Sequence, residues 1–285
     1  MTASHPPPSE PDIRLDSTAH LLNSIGSRLA DRLRLVSPIG RRHPAPPTLV
    51  LVAHGSRDPR ALATVRALMA RLRALRPTLP VRLGHIELTE PLLPDTLAAL
   101  GDTPAVCVPL LLGRGHHVRR DIPEAVAATS VNARVAAPLG PHPLLAETLY
   151  DRLIEAGWPQ DEAEPGRRGA AAVVLAAAGS RDPDSATDTR RTARLLAGRL
   201  NVPVIPAYAS AAAPTVPAAL RALAARGRHR VAIASYFTAP GRFATQCADQ
   251  SPWLASAPLG VHPAMARLIL HRYDQSLAAP RTEAA

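Results

Sequence analysis

No lysine occurs among the 285 residues, so all 33 side chains of the Lys+Arg class are arginine. A Walker-type phosphate loop needs its lysine, and so does Schiff-base chemistry on pyridoxal phosphate or a carbonyl substrate; both are excluded. Cysteine is nearly missing. The two present, Cys107 and Cys247, build no disulfide framework and suit a reducing compartment. Aromatic residues make up 3% of the chain, too few for the stacking platforms that single-stranded nucleic acid requires. No apolar run approaches the roughly 18 residues of a membrane span, and the opening Met1-Thr2-Ala3-Ser4-His5-Pro6-Pro7-Pro8 has no basic-then-apolar leader pattern. The expectation is a cytoplasmic protein with neither membrane nor nucleic acid among its partners.

What is present is a chain with 46% hydrophobic residues, ample for a packed core, and a formal charge of +10. A bias toward G- and C-rich codons accounts for most of the arginine excess, since it also inflates alanine and proline. Arginine nonetheless grips carboxylate or phosphate bidentately, which makes acidic small molecules plausible ligands.

The pattern along the chain divides it. Residues 1–47 read as an extension: a Pro/Ser-rich start, then Leu15, Leu21, Leu22, Ile25, Leu29 and Leu33 at near-helical spacing, then a Pro/Arg-rich loop. The apolar face of that helix offers a dock for the body of the protein or for a second copy in a homodimer. From residue 48 to 156, apolar β-branched runs alternate with helical stretches. Strands are expected at Thr48–Ala53, Val81–Glu87, Ala105–Leu111 and 132–136. Helices are expected at 60–76 (with Leu62, Val65, Leu68, Met69 and Leu72 inward), at 92–100, from Asp121 with an acidic cap and early proline, and at 143–156. Such alternation implies a parallel sheet covered on both faces. Residues 157–169 are polar and rich in breakers and read as a linker, 170–277 as a second α/β domain, and 278–285 as a tail.

The second domain repeats the first. Val52-Ala53-His54-Gly55-Ser56-Arg57-Asp58-Pro59 returns as Ala176-Ala177-Ala178-Gly179-Ser180-Arg181-Asp182-Pro183, and Ala137-Pro138-Leu139-Gly140-Pro141-His142-Pro143 returns as Ala257-Pro258-Leu259-Gly260-Val261-His262-Pro263. The offsets are 124 and 120 positions, in the same order, which indicates an internal duplication: two tandem doubly wound parallel-sheet α/β domains. What both halves keep is a fold determinant, so Gly-Ser-Arg-Asp-Pro is read as a turn and helix cap, and His142 and His262 as fold or rim residues.

What only one half keeps is a candidate for chemistry. His54 stands opposite Ala178, Glu87 opposite Ser210, Glu90 opposite Ala213, His117 opposite Phe243 and Asp121 opposite Cys247. His54, Glu87 and His117 all fall just beyond the carboxyl ends of the expected strands, where open parallel sheets bind ligands. Two imidazoles and a carboxylate meeting there suit a divalent transition metal with open coordination positions.

Ala53-His54-Gly55-Ser56-Arg57-Asp58-Pro59, Ile86-Glu87-Leu88-Thr89-Glu90-Pro91 and Gly115-His116-His117-Val118-Arg119-Arg120-Asp121-Ile122-Pro123 together resemble the sirohydrochlorin chelatase family, in its long two-domain form, over residues 48–275. These are ATP-independent enzymes that insert ferrous iron or cobalt into a tetrapyrrole. The resemblance implies that His54 and His117 handle the metal and that Glu87 accompanies them as ligand or proton acceptor. It implies further that the second half is a structural or substrate-enclosing lobe. The partners would be sirohydrochlorin and Fe2+, with Co2+ as the alternative metal and no permanently bound cofactor. Arg57, Arg114, Arg119 and Arg120 would meet the carboxylate arms of the substrate. His116, where the family pattern is variable, would assist. A non-catalytic tetrapyrrole or metal carrier is the alternative class. Nucleic-acid binding rests on charge alone, and a hydrolase reading of His-Gly-Ser fails because Ser180 survives in the half that lost its histidines.

Overall fold

The computed structural model describes residues 45–159 and 170–280. The expected N-terminal helix, most of the expected linker and the last five residues lie outside them. The first repeat runs β1 (Thr48–Ala53), α1 (Pro59–Leu75), β2 (Val81–His85), α2 (Leu93–Ala98), β3 (Ala105–Pro109), a wide π-helical turn (His117–Asp121), α3 (Ile122–Ala127), β4 (Ala133–Val135) and α4 (Pro143–Glu155). The second runs β5 (Ala171–Ala177), α5 (Pro183–Leu200), β6 (Val204–Tyr208), α6 (Val216–Ala224), β7 (Arg230–Tyr236), α7 (Arg242–Ala248), β8 (Leu254–Ala255) and α8 (Pro263–Ala278). Two all-parallel sheets result, ordered β2-β1-β3-β4 and β6-β5-β7-β8. Among the described residues no helix is long and apolar enough to cross a membrane, and both cysteines are buried and free.

Strands β1 and β5 are apolar without alternation because both of their faces are covered. Leu49, Leu51 and Ala53 point into one core; Val50 and Val52 point into another with Leu93, Leu97 and Ile122. The first of these cores is shared. It also holds Val173, Leu175 and Ala177 of β5, so the inner faces of both sheets look toward one central apolar layer.

Across that layer the two repeats interlock. The last helix of each repeat packs across the seam: α4 lies on α5 and β7 of the second sheet, and α8 lies on α1 and β3 of the first. On α4, Leu145, Leu149 and Leu153 are fully buried. Arginines staple the exchanged helices in place. Arg272 on α8 donates to the Leu139 carbonyl, Arg134 on β4 donates to the Ser276 and Ala279 carbonyls, and Arg152 on α4 donates to the Leu259 carbonyl. Trp158, expected in the linker, is buried and packs against Trp253 of the second repeat, the rings tilted with centroids 5.4 Å apart.

The repeated motifs act as punctuation twice over. Ser56 and Ser180 accept from the Asp58 and Asp182 backbone N–H groups, and Asp58 and Asp182 cap α1 and α5 ahead of a first-turn proline. His142 and His262 are caps as well, each imidazole Nδ1 accepting from the backbone two residues on at 3.2 Å. Two expectations change. Ala61, rather than Leu62, completes the buried stripe of α1, because Leu62 faces a cleft. Asp121 does not cap a helix: the helical backbone begins one turn earlier, at His117, and the Asp121 carboxylate turns back toward the histidines.

Candidate metal-handling site

The cleft lies between the two repeats, at the carboxyl ends of both sheets, and encloses about 1520 Å³. It exceeds the roughly 300–1,000 Å³ of ordinary small-molecule pockets, which suits a macrocycle. One wall carries His54, Arg57, His85, His116 and His117; the other carries Ser180, Ser210, Tyr236, Arg242, Phe243 and Gln246.

His54 follows β1 directly. The β1–β2 pairing continues past the strands, with Ile86 and Glu87 N–H groups donating to the Ala53 and His54 carbonyls at 2.9 and 3.0 Å. This draws Glu87 alongside His54. The approach is close enough to demand glycine next door: Gly55 sits at φ +100°, and a β-carbon there would lie 1.7 Å from the Glu87 carbonyl oxygen. The second repeat keeps the same device at Gly179, with φ +91° and the Ser210 oxygen at 1.9 Å. Glycine therefore serves the turn in both halves, while the side chains it brings together differ.

His54 Nε2 lies 3.6 Å from Glu87 Oε1. That is too long for a hydrogen bond, but two ligands about 2.1 Å from one tetrahedral cation lie about 3.4 Å apart. The His54 and His117 rings meet edge to face with centroids 4.8 Å apart. The expected trio thus gathers around His54 in pairs. Among the described residues no three His, Cys, Asp or Glu side chains form a ready-made metal cage. Simultaneous ligation needs side-chain rotation, for which the 43%, 52% and 34% exposures of His54, Glu87 and His117 leave room.

Asp121, read from sequence as a helix cap, is bonded to His117 Nδ1 at 2.5 Å and lies 3.3 Å from His116 Nε2. A carboxylate only accepts, so Nδ1 of His117 carries its hydrogen and Nε2 keeps the lone pair. His54 Nδ1 is 3.3 Å from the Gly55 carbonyl, which biases that ring the same way. The signal was in the sequence: positions 117 and 121 are four apart and share a helix face.

The arginines divide. Arg57 is exposed on the cleft wall. Arg114 lines the cleft as well and is at the same time paired with Asp188 of α5 at 2.8 Å and with Asp184 at 3.4 Å. Arg119 pairs with Asp182 and Asp184. Arg120 is exposed and lies outside the cleft lining. Sequence reasoning missed Arg242, which stands opposite His116 in the repeat and stacks over Phe243 at the cleft wall. It also missed Asp188 and Tyr236, which no motif marked.

Comparison with known proteins follows the same outline. The CbiX family model matches residues 48–156 and again 172–276. A sirohydrochlorin ferrochelatase of Bacillus subtilis is 31% identical over 176 residues, spanning 58% of this chain and 64% of the relative's own length. A sirohydrochlorin cobaltochelatase of Methanococcoides burtonii is 28% identical over 123 residues, 38% of this chain and 94% of that one. Among solved structures, SirB from Bacillus subtilis with Fe3+ superposes with a TM-score of 0.64 at 25% identity, covering 81% of this chain and 95% of that one.

Proposed function

The chain belongs to the CbiX family, and on that premise we propose that it inserts a divalent metal ion, Fe2+ first and Co2+ as the alternative, into sirohydrochlorin in the cytoplasm. The observation that supports the reading is that His54 lies 3.6 Å from Glu87 and meets His117 edge to face, with both histidines lining a macrocycle-sized cleft at the carboxyl ends of a parallel sheet. Cobalt stays open because the curated relatives include cobaltochelatases, and imidazole and carboxylate donors serve either metal.

Insertion replaces two pyrrole N–H protons by one metal ion. Neutral imidazole both ligates a borderline metal and accepts protons near neutral pH, so His54 and His117 can deliver the ion and take up protons as it leaves. Asp121 holds His117 with Nε2 as the ligating nitrogen and stabilises the imidazolium once formed. Glu87 serves as third ligand or as proton acceptor. His116, on the cleft wall and beside Asp121, assists at its rim. Arg57 is placed to meet substrate carboxylates, and Arg114 shares the cleft lining with it; the pairing of Arg114 and Arg119 with aspartates also makes them struts between the repeats, and Arg242 joins Arg57 from the facing wall. The second repeat encloses the macrocycle without a metal site of its own, and no bound cofactor is required.

The test is anaerobic mixing of the purified protein with sirohydrochlorin and Fe2+ or Co2+, followed by absorbance. Absence of insertion with both metals defeats the proposal. His117→Ala separates enzyme from carrier: a chelatase loses turnover and keeps tetrapyrrole binding, whereas a carrier shows no turnover in the parent protein.

A further inference from the structure

The second repeat has lost the metal-handling side chains, yet it carries polar groups that the first repeat lacks at matching positions. By the register that pairs Pro59 with Pro183, Asp188 and Thr192 of α5 correspond to Thr64 and Leu68 of α1; by the register that pairs Gly115 with Gly241, Tyr236 at the end of β7 corresponds to Leu110. All three converge on one loop of the first repeat, the segment Leu112-Gly113-Arg114-Gly115 that leads into His117.

Asp188 is a carboxylate only 1% exposed, buried at the seam. It accepts from the Arg114 guanidinium through Nε at 2.9 Å and NH2 at 2.8 Å, and from the Arg114 backbone N–H at 3.0 Å. The backbone bond matters most, because a side-chain pair alone would leave the loop free to move beneath a long arginine. Helix α5 is also close: a β-carbon on Gly113 would touch the Asp188 β-carbon at 3.4 Å. Two residues upstream of Arg114, the Leu112 carbonyl accepts from the Tyr236 hydroxyl at 2.9 Å, and that hydroxyl is held by Thr192 at 3.1 Å. The next residue, Gly115, offers the carbonyl that accepts from Arg119 N–H and starts the turn carrying His117. Burial pushes the Asp188 carboxyl up, but the Arg114 hydrogen bonds outweigh it and leave the group below its ordinary range, so it holds as an anion.

We infer that Asp188 is a positioning residue for His117, through its grip on the backbone and side chain of Arg114. The second repeat thereby supplies the rigidity of a metal-handling loop it does not itself contain. The arrangement is one-directional, since Thr64, Leu68 and Leu110 offer no equivalent to the second repeat. The kinetic part of this inference rests on the proposed chelatase reading; the metal-binding part does not.

Asp188→Asn is isosteric and sets an amide donor against the guanidinium. The expected result is a 10- to 100-fold weaker affinity for Co2+ in the absence of tetrapyrrole, the range for losing a partner that orients a ligand, with far-UV and near-UV circular dichroism unchanged. Turnover should fall in kcat by a similar factor while KM for sirohydrochlorin stays within about threefold. Unchanged Co2+ affinity with unchanged kcat overturns the inference, as does a loss confined to thermal stability. Should Asp188→Asn fail to fold, Tyr236→Phe decides alone: it keeps the ring and frees Leu112, and Co2+ affinity and kcat both equal to the parent overturn the inference. A parent protein that binds Co2+ but shows no insertion defeats the proposed function and leaves the metal-affinity test standing.

Discussion

Replacing Gly55 by alanine tests whether a backbone constraint, rather than the histidine itself, places Glu87. A residue with a β-carbon pays about 1–2 kcal/mol for the left-handed region. The added atom would also lie 1.7 Å from the Glu87 carbonyl oxygen, where ordinary contact begins at 3.4 Å, so that carbonyl must retreat by about 1.7 Å. Retreat strains or breaks the Glu87 N–H bond to the His54 carbonyl, and forcing a group into a packed site costs about 1–3 kcal/mol more. The expected loss is about 2–5 kcal/mol in urea unfolding, or roughly 4–20 °C in Tm for a unit of this size. Two controls divide the cost. Gly101 has φ +55° with nothing within 4 Å of its would-be β-carbon, so Gly101→Ala carries the conformational part alone, about 1 kcal/mol. Gly179→Ala repeats both parts in the other half. Below its lowered midpoint, Gly55→Ala loses Co2+ affinity at least tenfold, whereas Gly179→Ala keeps it, because Ala178 and Ser210 offer no metal ligands. A Gly55→Ala protein as stable as Gly101→Ala, or a Gly179→Ala protein that loses Co2+ equally, would refute the reasoning.

Burial holds the His142 and His262 imidazoles below their ordinary range, so the unfolded chain takes up more protons once pH falls through about 6.5. Stability should therefore decline on acidification from pH 7.5 toward pH 5, and His142→Asn or His262→Asn, which keep a capping acceptor, should flatten that decline; urea midpoints with an unaltered pH slope would count against it. Expressed alone, residues 45–159 should remain unfolded by circular dichroism, because α4 leaves Leu145, Leu149 and Leu153 without the second sheet, at about 1.5–3 kcal/mol each. Co-expression with residues 170–280 should restore a soluble complex, and a folded, monomeric first half would contradict the helix exchange.

Much of the fold was legible because its determinants are local or repeated. Strand identity follows from apolar runs such as Leu49–Val52, helix starts from Asp-Pro and His-Pro pairs, and the duplication from two motif matches. His54, Glu87 and His117 could be singled out because the duplicated half discarded them, and strand ends in a parallel sheet face one crevice. Asp121 was misread because its own neighbours, Ile122 and Pro123, mimic a capped helix start. The four-residue spacing back to His117 was the competing signal, and only the folded backbone shows that the carboxylate takes that partner instead.

The sequence alone determined the parallel α/β repeat, the lysine-free charge and the candidates proposed for metal handling, since periodicity, composition and repetition are properties of the chain itself. Only the tertiary structure decided how the halves interlock and where the arginines go. Arg114 and Arg119, expected at substrate carboxylates, are also brought against buried or half-buried aspartates across the seam. The reason is physical: a guanidinium pairs with the carboxylate that packing brings to it, and Asp188 lies 74 residues from Arg114, a separation no local pattern spans.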